Sequence, residues 1–556
     1  MSFAPLNTFS RTKYFFPVLI VCVWFVSFLI NQLWFQNMLG WDEIEYIGVA
    51  KAIVLDGDST TRHYTTMGLL EQGYPAHLSV YPLFSAYLSV FYKICGPSLD
   101  CLYFSNWFAA LLTALLLYYT YRAIRKERNR EAFLIALFYL IFPGIWRNFN
   151  TALMEPVGAL LATLALALVV YVYKRSVVNW KSALIIAATL AGLWLYKTIF
   201  VGILGAALVF VFFLFRERRA SEGKSRSVVV SVGYVFLTLI FFAVIFGTVS
   251  RLFFHTLSPF FAYDPAQLRL QTYARAAGGF FDHPVSNLLG NGYHILRSIL
   301  FPQLVYPAMP TPYVVGFATF IRYFYFFIAV LLLLFKTVWK KMTSLERHVV
   351  SFSLISIVAF HIFINVLTRT VPENLHRYTI YYAPLFLVAA GIIFGHLYDS
   401  LREKFPRSRG VFFGIVTLTG LVFYVPLFAT MFVHQIALEK KYHQFAVANT
   451  ELVRPYIEAR TPEPAFVYYN KGFHTTINSY PIRQVSEDAT DEQFRKINTI
   501  LPVPIDLLFL RSKDLIYINH KAEVEAGKPI LDGAYIYLGT AEDPQHELFV
   551  VVYGRK

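Results

Sequence analysis

What most constrains this chain is the way long apolar runs alternate with short clusters of lysine and arginine. A membrane-crossing helix needs about 20 apolar residues, and in lipid its backbone polar groups must be satisfied within the helix itself. Scanning the 556 residues for such runs predicts about eleven spans, near 14–36, 99–121, 131–147, 151–173, 179–196, 198–215, 228–250, 313–335, 348–367, 378–398 and 411–433. Alternate connections carry the cations: Arg122, Arg125, Lys126, Arg128 and Arg130; Lys174, Arg175 and Lys181; Arg216 to Arg226; Lys336 to Arg347; Arg402 to Arg409. The positive-inside rule puts these clusters, with Arg11 and Lys13, in the cytoplasm. An odd number of spans then leaves the C-terminal segment outside.

Composition agrees and closes off other classes. Only 15% of the residues are charged, against about a quarter in soluble domains. The net charge of +15 is concentrated in the short connections, so it reads as a topology signal and no nucleic-acid partner is expected. The first apolar run, Phe15 to Phe35, lacks a small-residue cleavage site and is expected to be retained as a helix. The chain has no Asn-x-Ser/Thr acceptor, which favours a bacterial inner membrane. Cys22, Cys95 and Cys101 are too few for a disulfide framework. Cys95 and Cys101 flank a Gly-Pro pair and could bridge, but unpaired thiols are the expectation.

Three outer segments are long enough to build a site. The first, 37–98, holds Trp41-Asp42-Glu43-Ile44-Glu45-Tyr46 and then an aromatic run from Pro82 to Cys95 that is too short to span. That run is expected to lie along the interface, with its tyrosines at headgroup depth. The second, 251–312, mixes aromatics with seven prolines and suits a lid. The third, 434–556, turns polar and carries short β-prone runs at 465–469, 507–510, 515–518, 535–538 and 548–553, with a helix near 490–497. It reads as a small extracytoplasmic α/β domain, separate from a transmembrane module of residues 1–433.

The candidate chemistry lies on the outer side. Asp42 and Glu43 follow the first span in a run with helical spacing, and adjacent carboxylates project about 100° apart on a helix. Beside low dielectric they become stronger bases; the competing reading is that they are solvated acids capping an interfacial helix. Glu155 precedes Pro156 at the start of the fourth span, where an acid either caps the helix or serves a site at membrane depth. Lys197 falls in the very short link between two spans, on the side where the charge rule disfavours lysine. There it either meets a lipid-linked phosphate as a point charge or snorkels to the headgroups. Arg147, Arg369, His376 and Arg377 share that side, and Arg377 just before the tenth span is the preferred phosphate ligand. Walker, Gly-x-Gly-x-x-Gly, Cys-x-x-Cys and His-Glu-x-x-His patterns are absent, so neither nucleotide energy nor a recognisable metal motif enters.

These stretches resemble the GT-C class of integral-membrane glycosyltransferases that use polyprenyl-phosphate sugars, the group of the bacterial protein O-mannosyltransferase relatives and the lipid A aminoarabinose transferase. The likeness is carried by Asp42-Glu43-Ile44-Glu45-Tyr46, by Tyr81-Pro82-Leu83-Phe84 to Gly96, by Ala191 to Lys197, by His376-Arg377-Tyr378 with Ala383-Pro384-Leu385, and by Glu155. Tyr81 stands where many members have lysine. The resemblance implies a GT-C-like polytopic helical fold, with Asp42 as general base, Glu43 and Glu155 orienting sugar or acceptor, and Lys197, Arg377, His376 and Arg147 around the donor phosphate. It implies inverting transfer from a polyprenyl-phosphate sugar to a glycolipid, cell-envelope polysaccharide or protein. No cofactor is required, although the carboxylates could hold a divalent metal. The rival classes are a lipid-linked sugar transporter or flippase and a non-catalytic envelope-assembly protein.

Overall fold

The computed structural model describes residues 14–34, 41–57, 61–74, 82–96, 99–126, 128–141, 154–175, 179–197, 200–221, 227–254, 332–367, 380–404, 444, 447–460, 464–469, 480–486, 488–543 and 548–556. The chain forms two compact units. One comprises Met1–Asn31, Trp107–Phe149 and Met154–His434; the other comprises Gln32–Asn106, Asn150–Leu153 and Gln435–Lys556.

The first unit is helical. Among the described residues, five helical stretches are long and apolar enough to cross a membrane: Cys101–Ile124, Glu155–Arg175, Val228–Val249, Ser344–Ile362 and Ile380–Ser400. Phe15–Trp34, Asn129–Ile141, Trp180–Tyr196 and Val201–Ser221 are further apolar helices at expected positions. The expected spans at 411–433 and, but for residues 332–335, at 313–335 lie outside the described residues, as does the 251–312 segment apart from its first four. Glycine permits one close helix crossing: a β-carbon on Gly202 would run into the backbone of Ser356 in the Ser344–Leu367 helix.

One cationic cluster does more than mark an orientation. The Arg125 side chain is 7% exposed and reaches three carboxylates, Glu131 at 2.9 Å, Asp399 at 3.1 Å and Glu346 at 3.2 Å. Arg128 adds Asp399 at 2.8 Å, and His396 meets Glu346 at 3.1 Å. Charges so sheltered require such partners. The cluster ties together the helices Leu99–Ile124, Asn129–Ile141, Ser344–Leu367 and Ala383–Lys404 at their ends.

The second unit is built on a mixed six-stranded sheet. Its strands are β1 (His63–Thr65), β2 (Phe466–Tyr469), β3 (Arg483–Ser486), β4 (Leu507–Leu510), β5 (Tyr535–Asp543) and β6 (Leu548–Arg555), in the order β1-β3-β2-β4-β6-β5. The first four run parallel, and β6 and β5 close the sheet antiparallel. Alternation along β2 feeds two cores: Phe466 and Tyr468 join Val485, Phe494, Leu508 and Tyr553 on one face, and Val467 and Tyr469 join Val453, Ile457, Phe509 and Val552 on the other. A sheet covered on both faces has continuous apolar strands, and all four residues of both β2 and β4 are buried.

Three expectations change here. Residues 515–518 are not a strand but part of the helix Leu515–Asn519; a short apolar run does not by itself choose between the two, and the Leu515 amide, at the helix start, donates to Asp488 at 2.9 Å. Cys95 and Cys101 form a disulfide, so the expected free thiols are a linked pair; Gly96, next to the first of them, has φ of +79°, a conformation glycine adopts without strain. The expected partition at residue 434 had put the first outer segment with the transmembrane module. In the structure that segment supplies β1, which pairs in register His63 with Gln484, Tyr64 with Val485 and Thr65 with Ser486.

Candidate functional site

Within the helical unit, two predicted residues share one neighbourhood. Glu155 opens the helix Glu155–Arg175 and is fully buried, at the end where the helix dipole favours an anion. Lys197 ends the helix Trp180–Tyr196 in extended conformation, its amide donating to the Leu193 carbonyl at 3.0 Å. The Tyr196 hydroxyl donates to the Met154 carbonyl at 2.6 Å. The residue before Lys197 therefore grips the residue before Glu155, joining a helix start to a helix end.

Lys197 is 6% exposed, which rules out snorkelling to solvent. Its Nζ donates to the Tyr381 hydroxyl at 3.0 Å and lies 5.2 Å from that ring's centroid. Tyr381 belongs to a buried 3₁₀ turn, Ile380–Tyr382, that leads into Ala383–Lys404. Phe200 meets the Tyr381 ring edge-on at 5.4 Å, and Tyr382 stacks on Phe360 at 4.5 Å. Gly158, one turn after Glu155, leaves the room that the Tyr381 ring occupies. The result is a buried ammonium held by a phenol within aromatic walls, a setting in which charge acts at low dielectric.

The acidic stretch lies in the other unit. Asp42 is in the helix Trp41–Leu55; its side chain is outside the described residues. Glu43 is 3% exposed, and Ile44, Tyr46, Ile47, Val49, Ala50 and Ala52 are all buried, so this helix is enclosed and Glu43 is not a solvated cap. The Pro82–Cys95 helix packs against it through an edge-on contact of Phe84 with Tyr46 at 5.2 Å. That helix buries Phe84, Leu88 and Tyr92 and exposes Val90 and Ile94, so it is one-sided, but Tyr92 lies on the packed face where the expectation had its tyrosines at headgroup depth.

Sequence reasoning did not find what holds the acidic helix. Lys51, 1% exposed, donates to the Tyr480 carbonyl at 2.9 Å. Burial first, then the nearby Arg62 charge, bring its ammonium down to about 7. Arg62 donates to the Pro481 carbonyl and pairs with Asp56 at 2.6 Å, which also meets Arg483 at 3.0 Å. Burial alone would raise the Asp56 carboxyl, but the two guanidiniums hold it below the usual range. His63 Nε2 lies 2.6 Å from the Ser486 hydroxyl between neighbouring strands. Apart from Asp56 and Arg62, six positions apart, the residue types gave no pairing signal, because the remaining partners are more than 400 positions away.

Arg147, Arg369, His376 and Arg377 lie outside the described residues. Among the described residues no group of three or more His, Cys, Asp or Glu is arranged to hold a metal ion.

No family model matches the sequence, and no curated protein matches it. Solved structures do. The crystal structure of ArnT from Cupriavidus metallidurans bound to undecaprenyl phosphate matches with a TM-score of 0.51 and 15% identity, over 97% of this chain and 97% of that one. The chain has a GT-C-like fold. ArnT from the same organism in the apo state gives a TM-score of 0.49 and 14% identity over the same shares. A GT-C-like fold is what the acidic stretch, the proline-led helix and the lysine-bearing turn implied together.

Proposed function

We propose that this chain is an inverting glycosyltransferase that moves a sugar from a polyprenyl-phosphate donor to an acceptor outside the cytoplasm. The observation that carries the reading is the buried Lys197 ammonium beside Tyr381, in a fold similar over nearly its whole length to a protein crystallised with undecaprenyl phosphate. In this reading Lys197, with Arg377, His376 and Arg147, receives the donor phosphate. Asp42 takes the proton from the acceptor hydroxyl, whose oxygen attacks the anomeric carbon from the face opposite the phosphate. The bond from anomeric carbon to phosphate oxygen breaks and polyprenyl phosphate leaves with the electron pair. Positive charge already in place where this charge builds up lowers the barrier. Glu43 and Glu155 orient sugar or acceptor.

The acceptor is a glycolipid, a cell-envelope polysaccharide or a protein, and the compartment a bacterial periplasm, with the N-terminus in the cytoplasm. The Cys95–Cys101 disulfide supports an oxidising location for that segment. The test uses purified protein in lipid vesicles with a labelled polyprenyl-phosphate sugar and envelope extract as acceptor, wild type beside Asp42→Asn. Transfer that collapses in a folded Asp42→Asn protein is expected. If neither protein transfers label but both move the lipid between leaflets, the chain is a flippase.

A further inference from the structure

The helical unit carries a concave site that the transfer chemistry does not use. A cavity of about 450 Å³ opens between the helices Leu99–Ile124 and Glu155–Arg175, lined by Tyr119, Ala123, Ala167, Tyr171, Lys174 and Arg175 among others. Glu155 and Arg175 are the two ends of one helix. Twenty residues at 1.5 Å each put this cavity roughly 30 Å from the candidate transfer site.

Its walls and its mouth differ in chemistry. Ala123, Ala167 and Val170 are apolar, whereas Lys174 and Arg175 bring two cations to one end, and Lys126 is close enough for its charge to act on Lys174. Tyr119 and Tyr171 are 49% and 50% exposed, and the Arg175 guanidinium sits 5.2 Å from the Tyr171 ring centroid. Tyrosines beside cations at the end of a spanning helix mark headgroup depth. A soluble anion would leave the apolar walls without a partner, and a neutral apolar molecule would cover the cations without compensating them. An amphiphile with an anionic head satisfies both.

We propose that this groove is a binding site for an anionic phospholipid of the surrounding bilayer, its phosphate at Lys174 and Arg175 and an acyl chain along Ala123 and Ala167. Basic pockets between membrane helices recognise headgroups in this way. The inference does not rest on the transferase reading.

The test is native mass spectrometry of the purified, delipidated full-length protein with phosphatidylglycerol or phosphatidylcholine of the same acyl chains, and with undecaprenyl phosphate as competitor. Wild type is expected to retain phosphatidylglycerol over phosphatidylcholine, and the double substitution Lys174→Gln, Arg175→Gln to reduce that retention by about tenfold or more. Ala167→Phe keeps the charges and fills the groove, so it gives the same loss should the double variant fail to fold. Equal retention of both phospholipids, or unchanged retention in the folded variants, overturns the site. Preferential displacement by undecaprenyl phosphate overturns its assignment to a bilayer phospholipid.

Discussion

Tyr381 fills the space that a β-carbon at residue 158 would occupy. The glycine is thus a condition for the tyrosine's position, and the tyrosine is the hydrogen-bond partner of Lys197. Gly158→Ala should push the ring away, at a cost of about 1–3 kcal/mol for overpacking. Tyr381→Leu removes the clash, so the double variant should lose less stability than the two single losses added together. Thermal unfolding of the four proteins measures the coupling; strictly additive losses would mean that the contact is without consequence.

Lys197 should matter to the donor more than to the fold. Lys197→Met is expected to lower transfer by about a hundredfold or more, as removal of a preorganised charge does. Tyr381→Phe deletes a single hydrogen bond and should cost less than about tenfold. Kinetics against donor concentration decide the matter, and a Lys197→Met enzyme with undiminished rate and donor affinity would leave the lysine a purely structural role.

Lys51 makes stability depend on pH. Its folded value of about 7 lies below the ordinary 10.5, so between these values the folded protein holds fewer protons on this group than the unfolded chain. Stability therefore rises with pH across that window, and the penalty is fully present below about 7, worth up to about 1.4 kcal/mol per pH unit traversed. Lys51→Met should flatten the wild-type rise in melting temperature between pH 7 and 10. Parallel profiles for the two proteins would show that the lysine does not titrate in that range.

Arg125 holds three carboxylates at once. Arg125→Met removes the cation they share, leaving Arg128 and His396 beside them, and should destabilise the helical unit by about 3 kcal/mol, read as a lower midpoint in thermal unfolding. Arg125→Lys supplies charge without the planar fork and should recover only part of the loss.

The periodic parts of the chain were legible beforehand. The spans announce themselves by length and apolarity and the Trp41–Leu55 helix by its spacing, and the polar stretch near 490–497, expected as a helix, is the helix Asp491–Ile500, which starts on a capping box of Thr490 and Gln493. What escaped was whatever depends on distant partners. Strand β3, Arg483–Ser486, is polar at three of its four residues and becomes a strand because β1 and β2 flank it. His63–Thr65 is too short to be read as a strand alone. Tyr381 gave no functional signal because an aromatic residue at the end of a span ordinarily belongs to the interfacial belt. Gly158 was the available hint, since a glycine inside an apolar helix often marks close approach.

The pairing of β1 with β3 imposes a parity on the whole molecule. Strands in one sheet lie on one side of the bilayer, so between Thr65 and Phe466 the chain must cross an even number of times. That rule does not depend on where any helix begins or ends. A chain in which one helix failed to insert would deliver the residues from Phe466 onward to the wrong compartment, leaving the edge of β3 unpaired and the helix bearing Asp42 without its Lys51 anchor. Completion of the sheet thereby depends on an even number of crossings having been made between its first strand and its second.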